Sequence, residues 1–261
     1  VVGMSCMISA TLMTKGIDPW ISVLITYLCA LVIGFFNGQL ISKAKLPAFI
    51  ATLGTMTIAR GIAQIVNNNY NTDSIGVAAE GFRNFFYYGK TLGLYNTIWI
   101  ALVLWLVFNF ILSKTKTGRY IYAVGSNVNA AHLSGVNISK TITITYLVSS
   151  ICAATVGLII TATSGMGTMD SGTGYELYAV ASSVIGGVST LGGQGILLGT
   201  IVGASIWGVL QNGLQFAGAP VAIRNIIIGT IVIISVLLDI IVRANKGKIK
   251  FKERPKQKQA A

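Results

Sequence analysis

Side chains able to do acid–base, nucleophilic or metal chemistry are few in this chain and widely spread. Its 261 residues hold one histidine, His132, with three cysteines and seven acids against nineteen Lys and Arg. Cys6, Cys29 and Cys152 sit in apolar runs without metal-ligand spacing and read as small hydrophobes. No nucleophile, base and metal group cluster along the sequence, so no catalytic residue and no metal site is expected, and a membrane-embedded enzyme is the reading these residues supply least. The glycines around 186–195 invite comparison with a phosphate loop. They fail it, because no Lys follows Gly193 and the run Gly193-Gln194-Gly195 does not continue as GxGxxG. What remains is one polar break, residues 114–140, KTKTGRYIYAVGSNVNAAHLSGVNISK, which carries Lys114, Lys116, Arg119, Lys140 and His132 and no acid. The small residues of its NAAHLSG core would let another protein's surface approach closely. A solvated connector held in place by its charge fits the same composition.

The elements that must position this break are apolar. Of the residues, 53% are hydrophobic and 10% charged, where soluble domains carry about a quarter charged. Several uncharged runs exceed the ~20 residues that cross a hydrocarbon core as a helix. The expected fold is therefore all-α, a polytopic helical membrane protein with about seven full spans plus a partial one at the N-terminus. Residues 1–13 are too short to span and open within apolar sequence without an initiator Met, which reads as an N-terminally truncated transmembrane domain over 1–242. A basic tail, 243–261, follows. The net charge of +12 does not argue for nucleic acid, since eight of the cations lie after Leu238 and four more frame the central break.

Expected spans cover 20–42, 47–67, 91–113, 141–163, two within 177–223, and 219–242. Pro19 suits a helix start. The stretch 67–90 balances Asp73 and Glu80 against Arg83 and Lys90, and its aromatics, Phe82, Phe85 and Phe86 among them, read as an interfacial belt or a short surface helix. Arg60 lies roughly 20 Å above Pro47 along its helix. It is read either as snorkelling or pairing near the surface, or as touching a solute. Gly195, Gly199 and Gly203 form a GxxxGxxxG ridge, with Gly208 nearby, suited to close helix contact in lipid. Lys and Arg resist translocation. The loops at 43–45 and 114–140 and the tail are thus expected inside, and 15–19, 67–90 and 164–176 outside.

Three segments then carry a resemblance: LPAFIATLGTMTIARG (46–61), TGRYIYAVGSNVNAAHLSGV (117–136) and GTGYELYAVASSVIGGVSTLGGQG (172–195). In these and across essentially its whole length the chain resembles the membrane-spanning permease of bacterial ABC sugar-uptake transporters of the ribose/galactose/xylose type. The resemblance implies a multi-pass protein of the bacterial plasma (inner) membrane with a cytoplasmic C-terminus. It also implies a second permease copy, a cytoplasmic ABC ATPase and an extracytoplasmic sugar-binding protein as partners. No cofactor would be bound by this chain, ATP being used by the ATPase. Asn129-Ala130-Ala131 and Gly135 match the EAA---G pattern of importer coupling loops, with Asn129 where that pattern has Glu. The coupling set implied is Gly125, Asn127, Asn129, Ala130, Ala131, His132, Ser134 and Gly135.

A monosaccharide is neutral and covered in hydroxyls, so its route calls for hydrogen-bonding side chains rather than fixed charge. Asn37, Thr52, Thr55, Arg60, Gln64, Glu176, Gln211 and Asn212 are candidate path residues, and Asn109, Ser182, Ser183 and Gln215 belong with them. Each also suits plain helix–helix hydrogen bonding. A facilitative channel or secondary transporter for a small polar solute would share these spans, although ion coupling would usually need buried acids. The topology has a direct check. Cysteine introduced at Asn69 is expected to react with an impermeant maleimide on intact cells and cysteine at Asn127 is not; labelling at Asn127 would invert the arrangement.

Overall fold

The computed structural model describes residues 1–252; residues 253–261, the end of the expected basic tail, lie outside the described part. The chain forms two compact units, Val1–Thr173 and Gly174–Ala261. Among the described residues, six helices are long and apolar enough to cross a membrane.

In the first unit, α1 (Val2–Thr14) is short and almost wholly buried, consistent with a segment too brief to span. It is followed by α2 (Pro19–Ser42), which begins where Asp18 caps it. The carboxylate accepts from Trp20 N at 2.9 Å and Ile21 N at 3.3 Å, and Pro19 occupies the first turn. Next come α3 (Ala48–Val66), the one-turn α4 (Glu80–Arg83), a two-stranded hairpin of β1 (Lys90–Thr91) and β2 (Leu94–Tyr95), and α5 (Asn96–Lys114). Then α6 (Lys116–Ser126), α7 (Val128–Leu133) and the long α8 (Ile138–Ser164) complete the unit.

The antiparallel pair α2–α8 is its spine. A Cβ on Gly34 would collide with the Ser150 side chain, and one on Gly38 would lie 2.7 Å from the Thr143 Cα, so the backbones meet where side chains are absent. Hydroxyls and an amide fasten the pair along its length: Tyr27 to Thr155 at 2.9 Å, Gln39 Nε2 to Thr143 at 3.3 Å, Ser42 to Ser139 at 2.8 Å. Against α8 lies α1, with Gly157 opposite Val2 and Ser5, and Ser9 bonded to Thr161 at 3.0 Å.

One expectation for the outer loop is corrected by the packing. Phe82 and Phe86 are core residues, 1% and 4% exposed, joined with Met13, Ile75, Leu158 and Ala162, and are not part of an interfacial belt. Helical spacing from α4 into the following turn puts both rings on one face, and that face covers the ends of α1 and α8. Arg83 is held by a carbonyl and a ring. Its Nε donates to the Ala162 carbonyl at 3.2 Å and its guanidinium lies 4.9 Å from the centre of the Tyr88 ring. The loop is tied down by the segment after α8, through Thr72 N to Gly167 O and Ile75 N to Gly165 O, both 2.9 Å.

The second unit holds α9 (Tyr175–Ile185), α10 (Leu197–Phe216) and α11 (Val221–Lys252). Here the 177–223 stretch divides unevenly, since α9 has only 11 residues and ends at Gly186, while α10 alone reaches spanning length. The glycine ridge is used in part. Cβ atoms on Gly199 and Gly203 would collide with the carbonyl oxygens of Gly186 and Ser182 on the α9 side, whereas Gly195 lies in the turn and nothing approaches Gly208. Thr190, in the turn, donates through both N and Oγ1 to Asp239 of α11, at 3.3 and 3.2 Å.

This contact makes a prediction. Gly203→Val should cost about 1–3 kcal/mol through overpacking, read as a lowered midpoint of unfolding in mixed micelles. Gly208→Ala should leave that midpoint essentially unchanged.

Candidate functional site

Residues 114–140 fold into two short helices held by three side-chain caps. Thr115 ends α5 and starts α6, its Oγ1 accepting from Gly118 N at 3.3 Å. The turn is tight because Gly118 lacks a Cβ, which would otherwise strike the Leu112 carbonyl oxygen. Asn127 ends α6 and starts α7, its Oδ1 accepting from Ala130 N at 3.0 Å. Asn137 then starts α8 by accepting from Lys140 N at 2.9 Å.

The far end of α7 closes around Gly135. Its φ is +78°, a left-handed conformation that favours glycine. Gly135 N donates to His132 O at 2.9 Å and Val136 N to Ala131 O at 3.1 Å, so the last carbonyls of the helix are occupied. Ser134 Oγ adds a bond to Ala130 O at 2.9 Å. A six-residue helix has little stability by itself, and the bonds at both ends hold this one.

The expected coupling residues separate into two groups. Gly125, Asn127, Asn129, Ala130, His132, Ser134 and Gly135 are exposed. Ala131 faces inward at 4% exposure, so bulk added there would disturb the loop itself. Ala123, Ser126, Asn127, Ala130 and Ser134 line a shallow hollow on this surface. Beside it Leu133 stands out at 88% exposure, with Val128 half-exposed. Attention to small residues missed these two. The signal available was an isolated Leu in a polar, basic loop, where burial in a partner is a natural reason for an apolar side chain.

The candidate path residues are not all brought together. In the first unit, Thr55 Oγ1 donates to Asn37 Oδ1 at 2.9 Å, joining α2 and α3, and both residues are buried. Arg60 Nη1 donates to Thr173 Oγ1 at 2.9 Å, which ties the span to the loop after α8. Thr52 returns its hydroxyl to the Ala48 carbonyl of its own helix, and Gln64 is exposed. Asn109 is partly buried on α5. In the second unit Ser182 and Ser183 bond back to Ala179 O, Gln211 is partly buried, and Glu176, Asn212 and Gln215 are exposed. Among the described residues no group of three or more His, Cys, Asp or Glu could hold a metal ion.

Removal of the Asn127 side chain tests the caps. Asn127→Ala should cost about 0.5–2 kcal/mol, seen as faster amide hydrogen exchange confined to residues 128–135.

Known proteins are similar to this chain over most of its length. Residues 1–236 match the family described as branched-chain amino acid transport system / permease component. The D-allose transport system permease protein of Escherichia coli is 32% identical over 240 residues, 92% of this chain and 72% of that protein. The ribose import permease protein of Escherichia coli is 32% identical over 232 residues, 89% of this chain and 72% of its own length. The galactose/methyl galactoside import permease protein of Haemophilus influenzae is 34% identical over 265 aligned positions, 94% of this chain and 77% of that one. No solved structure matches the chain.

Proposed function

The chain belongs to the branched-chain amino acid transport system / permease component family, and from that premise we propose that it is the membrane-spanning subunit of an ATP-driven importer of a monosaccharide. The observation that carries this reading is the likeness to ribose, allose and galactose permeases over about nine-tenths of the chain. The polar groups of the first unit's helices are compatible with a sugar. Asn37 and Thr55, which join α2 and α3, are neutral hydrogen-bonding groups of the kind that suit a hydroxyl-covered solute.

In this reading the 114–140 loop faces the cytoplasm and receives an ATPase, which hydrolyses ATP in a separate subunit. An extracytoplasmic binding protein delivers the sugar, a second permease copy completes the pathway, and the C-terminus is cytoplasmic. Leu133 would enter an apolar socket on the ATPase, with Asn129 and His132 as its polar surround. An apolar centre with a polar rim is the general anatomy of a protein interface. ATP binding favours one conformation of the ATPase, and a firmly capped α7 passes that preference to α5 and α8, because only a differential affinity shifts an equilibrium.

Uptake of labelled ribose, allose, galactose and fructose tests the proposal in cells expressing the chain with its ATPase and binding protein. We expect one of them to accumulate, and accumulation to stop when the ATPase is omitted. Leu133→Asp should insert normally yet weaken ATPase retention about thirtyfold, the loss of one hot spot, and abolish uptake. Equal uptake with and without the ATPase would replace this reading with a facilitative channel.

A further inference from the structure

The structure holds a second cleft of different character, on the side of the α2–α8 pair and at the end where α8 begins. Its volume is about 440 Å³, within the roughly 300–1,000 Å³ typical of small-ligand sites. Two stripes line it. Phe35, Gln39 and Lys43 follow one another at four-residue spacing on α2 and its C-cap, and Lys140, Thr143 and Leu147 do so at three- to four-residue spacing on α8.

Because the two helices are antiparallel and bonded in register, the stripes change chemistry together. The Ser42–Ser139 hydrogen bond, 2.8 Å, brings Lys43 and Lys140 to the same end of the cleft. Gln39 and Thr143, bonded at 3.3 Å, form the middle. Phe35 and Leu147 form the other end, and Phe35 is 54% exposed toward the surroundings of the spans. The cleft is thus cationic at the membrane boundary, polar below it and apolar toward the hydrocarbon.

Within the first unit no acid lies at this end of the cleft. The acids of the first unit are Asp18, Asp73, Glu80 and Asp170. Asp18 caps the opposite end of α2, and the other three lie in the loops tied together beyond the opposite end of α8. No salt bridge forms at Lys43 or Lys140 among the described residues, and the first-turn amides of α8 add their positive end nearby.

The geometry points to an anionic phospholipid bound here, its phosphate between Lys43 and Lys140, its glycerol and ester oxygens beside Gln39 and Thr143, and one acyl chain along Phe35 and Leu147. Basic recesses between spans at a membrane surface suit such headgroups, and each Lys near the surface adds attraction. A soluble phosphate would use the cations only and leave the apolar end unfilled. The inference needs α2 and α8 to cross a membrane; it does not need the chain to carry sugar.

Native mass spectrometry of the purified full chain, titrated with phosphatidylglycerol and with phosphatidylcholine, reads the site. We expect phosphatidylglycerol to be retained preferentially. Lys43→Gln with Lys140→Gln should weaken that retention about tenfold or more. Lys45→Gln with Lys114→Gln, the same change in net charge outside the cleft, should leave it within about twofold. Leu147→Asn should weaken it with both lysines in place, and inorganic phosphate should fail to displace the lipid. If the double variant does not fold, each single lysine variant should show about a threefold loss. Equal loss from both lysine pairs would reduce the effect to bulk charge and overturn the site. Displacement by inorganic phosphate would overturn the lipid assignment. So would unchanged lipid retention together with lost ATPase retention in the Lys43/Lys140 variant, since the cleft would then be a protein contact.

Discussion

The close approach of α2 to α8 is the contact on which the first unit depends. Between two spans in a bilayer the hydrophobic effect offers little, because lipid is as apolar as the side chains, and backbone proximity and hydrogen bonds must do the joining. Gly34 and Gly38 admit the α8 backbone, and Ser42, Gln39 and Tyr27 place a hydrogen bond at successive levels. Once this register is set, α8 presents Gly157 and Thr161 to α1, and its far end supports Phe82 and Phe86 of the outer loop. A helix as short as α1 keeps its place because α8 and its neighbours bury it on nearly every side.

The same spine reaches the candidate functional loop at its other end. Asn137 caps α8 immediately before Ser139 and Lys140, so the last turn of the 114–140 loop and the start of the long helix are one continuous hydrogen-bonded structure. With Thr115 and Asn127 as further caps, α5, α6, α7 and α8 follow one another with almost no free chain between them. Movement of α7 therefore has a short mechanical route to two spans. The lysine-lined cleft lies along that route, where a bound lipid would meet the same helix start.

Hydroxyl-rich helices explain why the solute path resists reading from residue type. Thr52, Thr57, Thr145 and Thr163 all return their hydroxyls to the carbonyl four residues earlier. A Thr in a span is thus satisfied with or without a solute. Among the candidate path residues, Asn37 and Arg60 do bond across elements, Asn37 Oδ1 accepting from Thr55 of α3 and Arg60 donating to Thr173 after α8.

By itself the sequence determined the features that the contrast between hydrocarbon and water dictates: the helical class, the positions of nearly all spans and the acid-free 114–140 break. It also marked the start of α2 through Pro19. Each of these is a local matter of charge, length or hydrogen bonding along a few residues. The tertiary structure decided which face of each element meets protein. It buried Ala131 and exposed Leu133, moved Phe82 and Phe86 from an expected belt into the core, used Gly203 and left Gly208 open, and stopped α9 after three turns. In a soluble helix the polar stripe marks the outward face. In a bilayer the face toward lipid and the face toward protein are equally apolar, so periodicity carries no such mark and only the packed neighbours choose between them.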